Sequence, residues 1–274
     1  MLFRSVSEMT QAAVSYQIKI LEERVGSALF LRGTRQVSLT DIGLKLAPQV
    51  SESFSLLQNA FASSLQEAEE ILSISVIPTF AAQWLAMRLG TFQLTYPHLA
   101  VRMDATRNLV DFTREPVDIA IRSGTNLATD GLAYHLLLKA EFSPMLSPTL
   151  AAPDTMKTPA DLLQLPLLST GDPWWNLWFN EAGIVCGLPI NKSSTIMGAQ
   201  TYEALAAIAG HGVGIITPAL YQREVSEGRL YQPFAQKSDN GLGYWLVYPH
   251  ARRNNKKIRL FRDWILAETK SFRI

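Results

Sequence analysis

TQAAVSYQIKILEERVGSALFLRGTRQVSLTDIGLKL, from Thr10 to Leu46, contains a helix pattern, a basic turn and the start of a second, longer helix. Ala12, Ala13, Ile18, Leu21 and Val25 recur at helical spacing, which leaves Thr10, Gln11, Ser15, Tyr16 and Lys19 for another face. Thr10 is a natural N-cap and Gly26 a natural stop, so the spacing predicts one helix between them. The short apolar pieces at Leu29-Phe30 and Val37 to Leu39 flank Arg32-Gly33-Thr34-Arg35, a turn that would offer two guanidinium groups to phosphate. The candidate DNA contacts are therefore Thr10, Gln11, Ser15, Tyr16, Lys19, Arg32, Thr34 and Arg35. Periodicity alone fits an ordinary amphipathic surface helix as well; the basic wing and the helix that follows favour the groove-reading face.

From Thr10 to Gly43 the chain resembles the LysR-type bacterial transcriptional regulators, whose signature reads TQxAVSxQIxxLEExxGxxLFxRxxRxVxLTxxG. TFAAQWLAMRL (Thr79 to Leu89), DIAIRSG (Asp118 to Gly124), WNLWFNEAG (Trp175 to Gly183) and IAGHGVGIITPAL (Ile208 to Leu220) are most similar to the glycine-cleavage-activator and β-lactamase-regulator subgroup. The resemblance implies an α/β protein with an all-α amino-terminal part. A winged helix-turn-helix (1–39) and a linker or dimerisation helix (40–68) would precede a two-lobed, periplasmic-binding-protein-like effector domain (69–274). Lobe I would take 69–143 and 249–274, and lobe II 144–248. The implied partners are double-stranded DNA, a carboxylate or amino-acid-like effector and a second copy of the chain, as a homodimer or homotetramer.

Two departures from the family pattern bear on the DNA-binding head. Only MLFRSVSEM, Met1 to Met9, precedes the first predicted helix, and it lacks the Ala-Ala-x-x-Leu pattern that packs beneath a recognition helix. The helix-turn-helix is thus expected to be truncated and its DNA affinity weakened. Tyr16 also stands where the family has arginine, replacing a cation with a neutral hydroxyl. Two alternatives stay open: a cytoplasmic small-molecule-binding protein, and a partner subunit without effective DNA binding.

Composition narrows the classes. A 47% hydrophobic and 18% charged chain of 274 residues is globular with room for about two domains. A formal net charge of +1 supplies no bulk attraction to nucleic acid, so DNA affinity must come from local basic residues. Arg252 to Lys257 forms a basic cluster that reads as a solvated loop before a terminal helix, with a second DNA site as the rival. No signal sequence and no membrane-spanning apolar run is visible, which predicts a cytoplasmic protein without a membrane partner. The single cysteine, Cys186, reads as a small packed residue.

The second helix pattern begins at Thr40-Asp41 and carries Leu44, Leu46, Val50, Phe54, Leu57, Phe61 and Leu65, interrupted only by Pro48. Such a stripe needs a partner, either its copy in a second subunit or the carboxy-terminal domain. Strand and helix signals then alternate: strands at Leu72 to Val76, Leu99 to Asp104 and Val117 to Arg122 with a helix at Thr79 to Tyr96, predicting βαβ units around a largely parallel sheet. A second group follows, with helices at Trp174 to Ala182 and Gln200 to Ala209 and strands near Leu167-Leu168 and Val213 to Ile216. Gly243 to Pro249 and a helix at Ile258 to Thr269 can return to the first lobe.

In such a domain ligands sit between lobes, at strand carboxyl ends and helix amino ends. Thr79 and Phe80 follow one strand, with Thr79 either a cap or a ligand contact. Arg122 and Ser123 leave another, where a guanidinium can clamp a carboxylate or serve a structural ion pair. On the second lobe Thr170, Met197, Gly198 and Gln200 form the facing turns, and Met197 makes that wall more apolar. Trp174, Trp175 and Trp178 read as core. The four histidines are scattered without metal-ligand neighbours, no nucleophile elbow is present, and Gly210 to Gly214 reads as a helix-to-strand turn. No enzymatic activity, metal or cofactor is expected.

Overall fold

The computed structural model describes residues 10–32, 37–64, 70–125, 129–185 and 197–272. The chain divides into two compact units, Met1–Leu65 and Gln66–Ile274.

The first unit opens with helix α1, Gln11–Val25. Thr10 caps it, its hydroxyl accepting from the Ala13 amide at 3.3 Å, and Gly26 ends it at φ 74°, a left-handed turn that glycine adopts without penalty. Strands β1 (Phe30–Arg32) and β2 (Val37–Leu39) pair antiparallel, Phe30 opposite Leu39, as the wing. Helix α2 then runs Asp41–Ser64 with Pro48 inside it.

Polar and steric details fix these pieces to each other. The Glu22 carboxylate accepts from the amides of Leu29 (2.7 Å) and Phe30 (3.2 Å), tying the end of α1 to the first wing strand. The Thr40 hydroxyl donates to the Ala28 carbonyl (2.8 Å) and accepts from the Gly43 amide (3.0 Å), so it caps α2 and closes the wing together. Gly43 is required by close approach: a Cβ there would collide with the Leu29 carbonyl oxygen.

The second unit holds a five-stranded sheet in the order β4-β3-β5-β9-β6. Its strands are β3 (Glu70–Val76), β4 (Leu99–Ala105), β5 (Ile119–Gly124), β6 (Leu132–Lys139) and β9 (Gly243–Pro249). β3 lies parallel to β4 and β5, whereas β9 runs antiparallel to both β5 and β6. The sheet is therefore mixed rather than largely parallel, because β9 enters it from the opposite direction on its way back from the second lobe. Strand β9 thus joins this sheet from Gly243 onward.

After β3 the chain becomes helical through α3 (Pro78–Phe80), a π-helical turn (Ala81–Leu85) and α4 (Ala86–Thr95). Phe92 of α4 packs edge-on against Phe261, with ring centroids 5.3 Å apart, and close to Trp264, both on the closing helix α8 (Lys256–Glu268). The second lobe is built on β7 (Ser143–Met145) and β8 (Gly214–Ile216), paired antiparallel, with a parallel bridge from Leu167 to Val213. Helices α5 (Pro173–Glu181), α6 (Gln200–Ile208) and α7 (Gln222–Ser226) complete it.

Trp175, Trp178 and Phe179 of α5 are fully buried with Phe142, Leu146, Val213 and Ile215 in the second-lobe core. Another buried cluster joins the lobes: Leu72, Phe80 and Tyr244 on the first share it with Ala204, Ile216 and Tyr221 on the second. No helix among the described residues is long and apolar enough to cross a membrane.

Candidate functional site

A cavity of about 890 Å³ opens inside the second unit, between its lobes. The first lobe supplies Thr79, Arg122 and Ser123, and the second Gly198 and Gln200, so five of the eight sequence-selected effector residues line it. The other three stand elsewhere. Phe80 is fully buried, stacked on Trp84 at 5.1 Å and near Tyr244 at 5.6 Å, so it supports the floor from behind. Thr170 and Met197 adjoin the lining turns without reaching the cavity, the Thr170 hydroxyl being buried with no partner.

Local structure explains these positions. The helical run after β3 has Ile77, not Thr79, at its cap, and Ile77 offers no side-chain hydrogen bond. Thr79 is instead a buried residue inside the first turn, 5% exposed, with its side chain on the cavity wall. Arg122 of β5 is 7% exposed and held by oxygens alone. It donates to the Ser75 carbonyl (2.9 Å), the Ile121 carbonyl (2.8 Å), the Ser75 hydroxyl (2.6 Å) and the Asn108 carbonyl (2.7 Å). No carboxylate ion-pairs with it among the described residues, and its Nε has no partner. Burial lowers its pKa from the usual arginine value, opposed by the more distant Glu115 and Asp104, yet a guanidinium stays charged at any physiological pH. Arg122 thus gives the cleft floor a fixed positive charge.

The facing wall is organised by Gln200, the first residue of α6. Its Oε1 accepts from the Thr217 amide at 2.9 Å and its Nε2 lies 3.5 Å from the Tyr244 hydroxyl, so one side chain touches both lobes. Gln83 and Thr201 make a second link at 3.1 Å, and Arg107 donates to the Gly198 carbonyl as a third. Burial pushes the Tyr244 hydroxyl up to about 12, which keeps it a neutral donor.

Several lining residues were not among the sequence candidates: Asp172, Trp174, Glu203 and Tyr244. Trp174 packs flat on Phe142 at 4.3 Å and turns part of its surface to the cavity, joining core and wall. Glu203, one helical turn beyond Gln200, was findable, because residues three apart share a helix face. Leu109, Val110, Phe112 and Leu132 make the remaining wall largely apolar.

On the first unit Tyr16 is 63% exposed, and Thr10 and Lys19 are exposed with it; Ser15 is half-buried. Lys19 lies 3.9 Å from Glu23 across an open helix face. The side chains of Gln11 and Arg32, all of Thr34 and Arg35, and the segment Met1 to Met9 lie outside the described residues.

A winged pair of helices in one unit and a two-lobed α/β cleft in the other define a regulator that couples a nucleic-acid-binding head to a small-molecule sensor. Residues 6–44 match the bacterial regulatory helix-turn-helix of the lysR family, and residues 65–270 match the LysR substrate binding domain. The chain belongs to the LysR family of transcriptional regulators. It is 35% identical over 264 residues to the HTH-type transcriptional activator AmpR of Pseudomonas aeruginosa, covering 94% of this chain and 86% of that protein. It is 33% identical to the glycine cleavage system transcriptional activator of Escherichia coli, covering 95% and 85%. Among solved structures, the effector domain of AmpR from Pseudomonas aeruginosa superposes with a TM-score of 0.64 at 30% identity, covering 74% of this chain and 96% of that one.

Proposed function

We propose that this chain binds operator DNA through the exposed face of α1 and the wing, and that a carboxylate or amino-acid-like effector in the cleft controls that binding. Arg122 carries the ligand reading: a buried, permanent cation without a carboxylate partner among the described residues, beneath a cavity that Thr79 and Ser123 also line. An effector that touches both lobes favours whichever lobe arrangement fits it best, and that difference in affinity is the only means by which it can shift the regulator's state. Thr10, Gln11, Ser15, Tyr16 and Lys19 face the groove in this reading, with Arg32, Thr34 and Arg35 on phosphate. The protein acts in the cytoplasm as a homodimer joined through α2, whose Leu44, Phe54 and Leu57 are 59%, 56% and 49% exposed.

A salt-controlled gel-shift titration with the DNA upstream of the chain's own gene tests the function. Specific binding, weakened at least about tenfold by Lys19→Ala combined with Tyr16→Ala, is expected, which corresponds to roughly 1.4 kcal/mol. Indifference to DNA sequence and to both substitutions would favour a sensor or partner subunit that does not itself contact an operator.

A further inference from the structure

Two acidic side chains on the second-lobe wall have no role in the reading above. Glu203 lies in the first turn of α6, lines the cavity and is 6% exposed, yet its Oε2 has no hydrogen-bond partner. Its carboxyl receives a hydrogen bond from Ser169 and is close enough to Asp172 to feel that charge. Asp172 lines the same cavity and spends one oxygen on capping α5, accepting from the Trp174 amide at 2.9 Å.

The backbone is bent to bring them together. Ser169 is the one non-glycine residue in the left-handed region among the described residues, at φ 47°, and the turn it begins closes when the Asp172 amide donates to its carbonyl at 2.8 Å. Strain of this kind persists where surrounding structure enforces it, and it collects at ligand sites.

No lysine or arginine ion-pairs with either carboxyl among the described residues. The two arginines that line the cavity are engaged elsewhere, Arg122 with first-lobe oxygens and Arg107 with the Gly198 carbonyl. A buried carboxyl lacking a counter-charge is unfavourable unless something else supplies one. Desolvation accordingly raises Glu203 to about 7 and also raises Asp172, so a cation arriving here would release a proton as it binds. A metal ion fits poorly, because no group of three or more His, Cys, Asp and Glu is placed to hold one among the described residues.

We propose that Glu203 and Asp172 form the subsite for a protonated amino group of the effector, whose apolar portion rests against Trp174, Phe112 and Leu132. The inference rests on the cleft being the effector site and narrows the effector's chemistry to a zwitterion. Its ammonium is held by Glu203 on the second lobe, while its carboxylate lies in the positive field of Arg122, whose Nη1 and Nη2 groups stay bonded to first-lobe oxygens, so the two charges of one molecule are set on opposite walls.

The full chain is titrated with 2-phenylethylammonium chloride and, separately, with neutral 2-phenylethanol, reading thermal unfolding and heat of binding. Saturable stabilisation by the ammonium, at least tenfold tighter than by the alcohol, is expected. Glu203→Gln and Asp172→Asn, the latter retaining a helix-capping oxygen, should each cut that preference at least fivefold while the unliganded protein keeps its circular dichroism. Absence of saturable stabilisation by the ammonium, equal affinity for the two probes, or an unchanged preference in both variants would overturn the proposal. Equal binding of both probes would leave the cleft as a ligand site while removing its cationic end, and the gel-shift outcome is independent of either probe.

Discussion

Glu203 has a measurable consequence for stability before any ligand is added. Its folded-state value of about 7 is above that of an unfolded glutamate near 4.3. Between those values the folded chain retains a proton that the unfolded chain has released, so stability is present below the window and declines as pH rises through it. The loss is at most about 4 kcal/mol. Glu203→Gln removes the titration, so the variant should gain on the wild type by about 1–3 kcal/mol between pH 5 and pH 8 in urea midpoints. A pH-independent difference would mean that the carboxyl is better solvated than its burial indicates. Gly43 offers the opposite case, a position where adding atoms is harmful: Gly43→Ala drives a methyl into the Leu29 carbonyl oxygen and should destabilise the first unit by about 1–3 kcal/mol. Thr40→Ala should cost roughly 1 kcal/mol through the lost cap. Chemical denaturation of a 1–65 fragment or of the full chain, followed by the far-ultraviolet helix signal, measures both.

At the scale of elements, α2 carries its apolar stripe in the open. Replacing Phe54 and Leu57 with glutamate places charge on the exposed seam, and light scattering should then give half the wild-type mass; an unchanged mass in a folded variant would show that α2 is not the dimer contact. Helices α1 and α2 were legible in the sequence because each has both a periodic face and a terminal signal: Thr10 and Gly26 for one, Thr40 for the other. Strand β6 was not. LAYHLLLK shows no clean alternation, since its inner residues are half-buried along most of their length and the pairing with β9 shifts register between Leu136 and Leu138. The cleft was legible where a strand end or helix start announced it, as at Thr79, Arg122 and Gln200. Glu203 was passed over because an acidic residue in an amphipathic helix reads as a solvated one, although its spacing from Gln200 puts both on one helix face, and Tyr244 because GYWLVYP looks like uninterrupted core. Phe80 shows the reverse error: neighbouring residues on a helix point in different directions, so adjacency to Thr79 put it in the core.

For the molecule as a whole, the division at 65/66 and the shared core within the second unit set the expected order of melting. The second unit should unfold in one cooperative transition, because Phe80 and Tyr244 pack in the same cluster as Ala204 and Tyr221, so that opening either lobe uncovers apolar side chains of the other. The first unit, smaller and with Leu29 its one fully covered large side chain among the described residues, should melt earlier. Calorimetry of the full chain is expected to resolve two transitions, and a 66–274 fragment to reproduce the higher one alone. A single transition whose position changes on removing the first unit would show the two to be energetically coupled.

Strand β9 gives the molecule a timetable. It is the last strand among the described residues, yet it lies inside the sheet, with β5 on one side and β6 on the other. A ribosome delivers β5 and β6 long before Gly243, and in that interval β5 has an open edge and β6 has no neighbour in the sheet at all. The second lobe is synthesised and can close while the first still waits. Only when Gly243–Pro249 emerges is the sheet knit together and the Tyr244 hydroxyl delivered to the cleft floor. A chain released before Gly243 would therefore carry the DNA-binding head with an unfinished sheet, and an effector can be felt only once Gly243–Pro249 has taken its place between β5 and β6.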